Sequence, residues 1–373
     1  MTDKLVSIGT FVYSLRAYLT KGRLESEDID CFLANENFRY GIHLNFEDGL
    51  ELLVKEEDEA KALTILNEIE QEFGKEATAD FDVEIRKILV PVDFSENSIN
   101  ACQYALGLAS IFKAGIRLFH SYYIPTLDTT IMGETSVSTE TIDEHLKNIR
   151  NNAKTNLDLL LSNLQNQLKE RGIKEVSVEV NTGAGFADDE IYKEYKDYDP
   201  DIIIMGTNGS NDEIKKLHGS VTAKIIEHVK VPVLTVPPGS GFKDITSLKR
   251  IVYITNFDES DFRAIHKLLY LISPFKMEVH CLHIASRAKG KWDEIKLEGL
   301  KEHFRKAYIG PEIKVDIIRS ENLIEAIDDY MLQHDIDVAA MVTHKQNFLT
   351  RFFKPGITRK MLFRTQVPLL VFH

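Results

Sequence analysis

Lys87-Ile-Leu-Val-Pro-Val-Asp93-Phe-Ser95-Glu96 is the stretch on which the reading of the fold turns. Ile88–Val92 is a short apolar run rich in branched residues, as a parallel strand buried on both faces should be. Ser95 is a good helix cap. Behind it Ile99, Cys102, Leu106, Ala109 and Phe112 recur every three or four residues as one helical face, and Gly115 follows as the stop. The alternation continues with a strand at Ile116–Ser121 and a helix from about Thr141 to Arg171. That helix carries Ile142, Leu146, Ile149, Ala153, Leu157, Leu160, Leu164 and Leu168 on one stripe and ends at Gly172. A strand at Val176–Val180, a helix near Asp188–Lys196, a strand at Ile202–Met205, a helix from about Ser220 to His228 and a strand at Val231–Val236 complete the series. Strand–helix–strand connections cross over right-handedly, so the series predicts an α/β unit with a parallel sheet covered on both faces.

The series is repeated. Lys87-Ile-Leu-Val-Pro-Val-Asp93-Phe-Ser-Glu aligns with Arg250-Ile-Val-Tyr-Ile-Thr-Asn256-Phe-Asp-Glu at an offset of 163, and His120 meets His283 at the same offset. Asp201-Ile-Ile-Ile-Met205 aligns with Asp337-Val-Ala-Ala-Met341, and Val231-Pro-Val-Leu234 with Val367-Pro-Leu-Leu370, at an offset of 136. The second copy is therefore shorter by 27 residues (163 − 136), which correspond to the loop after Tyr123 and the start of the following helix. Pro237-Pro-Gly-Ser-Gly-Phe separates the copies, and Gly74-Lys-Glu-Ala-Thr-Ala-Asp-Phe-Asp precedes the first. Before that linker, strands are expected at Leu5–Thr10, Cys31–Ala34, Tyr40–Phe46 and Glu51–Val54, with helices at Val12–Glu27 and Glu56–Phe73. Glu56, Glu57, Asp58 and Glu59 sit at the positive start of the latter helix. This reads as a small α+β, ferredoxin-like domain over 1–75, ahead of units at 86–238 and 249–373.

A chain of 373 residues suits two or three domains. With 43% hydrophobic and 28% charged residues it is globular, not disordered or fibrous. No apolar run approaches the ~18 residues that span a bilayer. Met1-Thr2-Asp3-Lys4 lacks the basic start and apolar core of a secretory leader. Cys31, Cys102 and Cys281 are scattered and odd in number, which excludes a disulfide framework and points to a reducing cytoplasm. Net charge is −13, and nucleic acid is disfavoured because phosphate neutralisation needs a basic field. The balance is uneven: −10 over residues 1–80, −7 over 81–240 and +4 over 241–373. The acidic front reads as a solvated surface; the alternative is that it leans on the basic end.

Chemistry concentrates in Gly206-Thr-Asn-Gly209, followed after nine residues by Gly219-Ser220, which opens a helix. Glycines let backbone amides approach a ligand closely, consecutive free N–H groups form an anion nest, and the helix adds its unpaired N–H groups and positive dipole end. Ser220 and Thr222 offer hydroxyls, and phosphate is the guest such a nest suits. Asp93 stands at the carboxyl end of the first strand, and the first and fourth strands flank the switch point at which open parallel sheets bind ligands. A Walker loop is absent. The glycines alone fit equally well a loop shaped for its own sake.

Ile88-Leu-Val-Pro-Val-Asp93-Phe-Ser, then Asp201-Ile-Ile-Ile-Met-Gly206-Thr-Asn-Gly209-x9-Gly219-Ser220, then Val231-Pro-Val-Leu-Thr-Val resembles the universal stress protein family, strongly over 86–237 and weakly over 249–373. The glycine spacing is that of the family's ATP-binding members. The resemblance implies two tandem doubly wound units of the flavodoxin-like or adenine nucleotide α-hydrolase-like kind. It implies that Pro91, Val92 and Asp93 line the adenosine end, that Ser121 abuts the adenine, and that Met205 and Gly206 close the ribose side. Thr207, Asn208 and Gly209 belong to the phosphate loop, and Gly219, Ser220, Val221 and Thr222 hold phosphates. Asn208 departs from the usual His or Arg. In the second copy Asn256 replaces the Asp, Val342 and Lys345 replace glycines, and only Gly356 survives, so that copy reads as a degenerate partner. Family members commonly dimerise through the last strand, so Val231–Val236 and Val367–Phe372 are candidates to pair within the chain; two beads on a string is the alternative. Gly22–Asn37 and Gly49–Leu63 resemble a small prokaryotic signal-transducing domain family, over about residues 3–72, which implies an interaction role.

The implied function is a cytoplasmic stress or signalling protein that binds ATP (or ADP or AMP) with Mg and thereby modulates an unidentified partner. Homo-oligomerisation stays open, and no catalytic residue is assigned. The competing readings are a slow Mg-dependent ATPase, with Asp93 as the one carboxylate at hand, and a ligand-free interaction module. Lys345–Lys360 mixes basic and aromatic residues, read as phenylalanines packed inward under solvated charges. His280-Cys281-Leu282-His283 places two potential ligands on one strand face, too few for a metal site, so core packing is preferred. Cys102 is expected in the core on its helix stripe.

Overall fold

The computed structural model describes residues 5–11, 14–34, 50–73, 85–123, 139–207, 219–239, 245–255, 259–285, 313–343 and 366–373. The chain divides into two compact units: Met1–Val83 with Lys249–Val342, and Glu84–Leu248 with Thr343–His373. Among the described residues no helix is long and apolar enough to cross a membrane. The three cysteines are buried and form no disulfide, and burial pushes the thiols of Cys31 and Cys102 up to about 12.

The first 83 residues build a small α+β element: β1 (Leu5–Phe11), α1 (Ser14–Glu25), β2 (Cys31–Ala34), β3 (Leu50–Lys55) and α2 (Glu59–Phe73). β3 lies between β1 and β2 and is antiparallel to both, as in the ferredoxin-like split β-α-β arrangement. Leu50, Leu52 and Val54, alternating along β3, join Ile8, Leu24 and Ala62 in one apolar core. The acidic run does not open α2 directly. Glu56–Asp58 form a 3-10 turn, and the α-helix starts at Glu59. The strand expected at Tyr40–Phe46 lies outside the described residues.

Residues 84–248 follow the predicted alternation: β4 (Lys87–Pro91), α3 (Glu96–Phe112), β5 (Gly115–Tyr122), α4 (Thr139–Glu170), β6 (Val178–Ala184), α5 (Ala187–Tyr198), β7 (Ile202–Gly206), α6 (Gly219–His228) and β8 (Val233–Val236). The strands are parallel in the order β8-β7-β4-β5-β6. Ile88, Leu89 and Val90 of β4 and Ile202, Ile203 and Ile204 of β7 are buried, as strands covered on both faces must be. Ser95 caps α3, its side chain accepting from the Ser98 amide. Gly115 is not the stop. Lys113 takes the left-handed conformation, φ 57°, that closes α3, and Gly115 opens β5. An added Cβ there would stand a tight 3.1 Å from Ser177 Oγ. Gly172, at φ 69°, does terminate the long helix. On α4, Ala153, Leu157, Leu164 and Leu168 are buried while Leu160 is half-buried, so the inward stripe is narrower than the sequence suggests.

Residues 249–342 contain β9 (Arg250–Thr255), α7 (Glu259–Ile272), β10 (Glu278–Ala285), β11 (Ile313–Arg319), α8 (Leu323–Gln333) and β12 (Val338–Val342). These strands are parallel in the order β11-β10-β9-β12. Two details recur at the offsets seen in the sequence. Asp201 Oδ2 accepts the amides of Arg86 and Lys87 at 2.7 and 2.8 Å, and Asp337 Oδ2 those of Lys249 and Arg250 at 2.8 and 3.1 Å. His120 Nδ1 donates to the Val92 carbonyl at 2.7 Å, and His283 Nδ1 to that of Thr255 at 2.8 Å. The last strand, β13 (Leu369–Phe372), runs antiparallel to β8, with Leu370 opposite Leu234.

His280 is buried in β10, between Tyr330 Oη at 2.8 Å and Glu278 Oε1 at 2.9 Å. Tyr330 in turn donates to Asp316 Oδ2 at 2.5 Å. Cys281 and His283 share the opposite strand face, and His283 spends its Nδ1 on Thr255. Burial pushes the His280 imidazolium down and outweighs the upward pull of Glu278. The unfolded chain therefore takes up the proton first, near the ordinary value of about 6.5. This contribution to stability is whole above that value and is lost as pH falls through it towards the lower folded value. Between pH 7 and 5, the intact protein is expected to lose about 1 kcal/mol more than His280→Gln in urea melts. Superimposable pH profiles would refute this.

Candidate functional site at the carboxyl edge of the sheet

From β4 the chain moves outward to β5 and β6, then returns across β4 to β7. The carboxyl ends of β4 and β7 therefore flank the topological switch point, where a crevice opens in sheets of this kind. Val92 and Asp93 follow β4; Gly206 ends β7; Ser121 lies near the end of β5; and α6 begins at Gly219. All belong to one unit.

Each flank is fixed by backbone bonds. Val92 donates its amide to Phe119 at 2.8 Å and gives its carbonyl to His120. Asp93 is exposed, and its Oδ1 accepts the Ser95 amide at 3.0 Å and hydroxyl at 2.5 Å. Burial would raise this carboxyl, but the bonds from Ser95 and Ser98 outweigh it and hold Asp93 below the usual carboxylate range. Between them Phe94 takes φ 63°, unusual for a bulky residue, and its ring lies 4.5 Å from that of His120. On the other flank Thr207 donates its amide to Val236 at 2.8 Å, and its carbonyl accepts from Asn97 Nδ2 at 2.8 Å.

Three expected ligand contacts have other employment. Gly206 has the start of α3 against it: an added Cβ would meet Asn97 C and Ser98 N at 2.7 Å each. Its lack of a side chain is required by helix–strand packing, whatever ligand the edge receives. Thr222 is only 4% exposed, and its hydroxyl reaches back to the Gly206 carbonyl at 3.4 Å. Thr207 is likewise buried, with its hydroxyl 3.5 Å from the Val236 carbonyl. Both threonines have a backbone carbonyl at the end of β7 or β8 within reach of their hydroxyls. Pro91, Val92 and Met205 are buried; Ser121 and Val221 are half-buried. Asn208 and Gly209 lie outside the described residues, as does the side chain of Ser220; the backbones of Gly219 and Ser220 open α6. Sequence reasoning missed Asn97. Its position in the first turn after the Ser95 cap was the available signal, since a short polar side chain there can donate to the neighbouring strand end.

A five-stranded parallel sheet that winds to both sides of its switch point defines an α/β protein of the doubly wound class. The pattern describing the universal stress protein family matches residues 84–237. A universal stress protein of Methanocaldococcus jannaschii is 30% identical over 156 residues, which is 40% of this chain and 94% of that protein. A second from the same organism is 27% identical over 151 residues, 40% of this chain and 81% of that one. The crystal structure of a universal stress protein from Archaeoglobus fulgidus superposes over 78% of this chain and 97% of its own, with TM-score 0.57 and 20% identity, a likeness of fold. The chain belongs to the universal stress protein family. Residues 6–70 match a second family, described as "Putative prokaryotic signal transducing protein".

Proposed function

We propose that residues 86–238 bind an adenine nucleotide, ATP or its di- or monophosphate with Mg, at the carboxyl edge of β4, β5 and β7, and that the bound state alters what the surface presents to a protein partner. The observation that carries this reading is the connection from β7, which ends at the switch point, into α6, which opens at Gly219 with its unpaired amides and positive dipole end. Gly206-Thr-Asn-Gly209 lies within that connection. Family membership and the glycine spacing support the same ligand. Pro91, Val92, Asp93 and Ser121 then serve the adenosine end, and Gly209, Gly219, Ser220 and Val221 the phosphates. A carboxylate placed at Gly219 would repel polyphosphate at the point where backbone amides should receive it. Calorimetry with Mg-ATP is expected to give Gly219→Glu an affinity about 100-fold below that of the unmodified chain, about 2.7 kcal/mol. Equal affinities would overturn the site.

The hydrolytic reading is less well supported. Asp93 is a weak base, and one of its oxygens is already engaged by Ser95.

We further read 249–373 as a degenerate second unit. Equivalent backbone bonds made by Asp201 and by Asp337, and by His120 and by His283, support this, as do the left-handed Asp199 and Asp335. Val342 ends β12 where Gly206 ends β7, so the close backbone approach has no counterpart there. The antiparallel pairing of β13 with β8 supports a pseudo-dimer joined through last strands inside one chain. Residues 1–75 would supply an interaction or signalling domain, and a cytoplasmic setting suits three buried cysteines that form no disulfide.

A further inference from the structure

Two exposed aromatic rings stand on the same carboxyl edge. Tyr123, the residue after β5, is 52% exposed, and Phe186, the residue before α5, is 64% exposed. Their ring centroids are 5.3 Å apart. The contact is positioned by backbone: Tyr122 pairs with Ala184 across β5 and β6, and the Gly185 amide donates to the Tyr122 carbonyl at 3.0 Å. Among the described exposed large apolar residues, this pair alone forms a ring contact. Two partly exposed aromatic rings side by side, tilted by 39° to each other, offer a planar heterocycle a face to stack on.

We propose that Tyr123 and Phe186 form a stacking platform for the purine base of the nucleotide; this rests on the nucleotide reading above. Side chains alternate along a strand, so Tyr123 continues the face of Ser121. A phosphate chain at the α6 N-terminus lies over the end of β7. A nucleotide laid from there across β4 reaches two strand spacings, about 10 Å, and sets its base over the end of β5. In the other direction β8 offers no such surface: Val236 gives its carbonyl to Thr207 and is buried. Placed over the end of β5, the two rings stand away from the phosphate end at α6, so the pair acts on the base.

The test is calorimetry of the full chain with Mg-ATP and with Mg-tripolyphosphate, which lacks the nucleoside. Replacing both rings, Tyr123→Ala with Phe186→Ala, is expected to weaken ATP about tenfold or more and leave tripolyphosphate unchanged. Tyr123→Phe keeps a ring and should bind ATP as the unmodified chain does. Unmodified protein that binds ATP alongside a double variant that binds it equally would overturn the platform and leave the nucleotide site standing. Loss of both ligands in parallel would also overturn it, since the rings would then be supporting the fold. Unmodified protein that takes up no ATP would overturn the nucleotide reading and this one together.

Discussion

Gly206→Val should cost about 3 kcal/mol of stability, near the upper end for overpacking. The reason is the identity of the neighbouring atoms. An ideal Cβ at Gly206 would stand 2.7 Å from Asn97 C, 2.7 Å from Ser98 N and 2.9 Å from Asn97 O. All three are backbone atoms in the first turn of α3, and that turn cannot yield singly. Ser95 caps it, and Asn97 Nδ2 is bonded to the Thr207 carbonyl just beyond the glycine. Relief would have to separate β7 from α3 or break that buried bond. Gly172→Ala is the control. It pays for a left-handed φ of 69° but meets no atom within 4 Å, so it should cost about 1 kcal/mol. Urea denaturation of the two variants should separate them clearly. A Gly206→Val midpoint matching that of Gly172→Ala would show that α3 can retreat, and the close approach would lose its structural meaning.

That contact marks where sequence reasoning stops. Periodicity located β4, α3, β7 and α6 to within a residue or two, because strands buried on both faces leave continuous apolar runs and amphipathic helices leave stripes. The switch point followed from the order of elements alone. The sequence could not distinguish a glycine that admits a ligand from one that admits the protein's own backbone: both leave the same single letter. Gly206 carries the second demand, whatever it also does for the first. Hydroxyls behave alike. The sequence offers the Thr222 hydroxyl to a ligand, and in the fold it lies 3.4 Å from the Gly206 carbonyl. Gly115 was misread for a related reason. A glycine after a helical stripe suggests a cap, but Lys113 tolerates the left-handed turn, and the glycine two residues on serves close packing against Ser177. Phe94 at φ 63° and the Tyr123–Phe186 pair had no readable signature, since both arise from how separate segments meet.

Removing the Arg117 guanidinium is the other change expected to have a large effect. Arg117, on β5, reaches Glu194 of α5 at 3.0 Å and Glu179 of β6 at 2.7 Å, and its guanidinium lies 3.9 Å from the centre of the Tyr198 ring. The two carboxylates differ in value to the fold. Glu179 is 55% exposed and can return to water, so its bond counts for little. Glu194 is 5% exposed, and without Arg117 its remaining side-chain partner is Asn181 Nδ2 at 2.7 Å. Stripping the cation from a buried carboxylate costs about 3 kcal/mol, mostly through the charge left behind. Arg117→Met retains much of the apolar stem over Tyr198 and removes the charge, so it isolates that penalty. The decisive comparison is the double variant Arg117→Met with Glu194→Leu. It removes both charges, refills the space with apolar atoms, and should recover most of the stability lost by Arg117→Met alone. Thermal or urea melts give the answer directly. If the double variant falls as far as the sum of the two single ones, Arg117 is held by its stacking on Tyr198, and the ion pair is incidental to the fold.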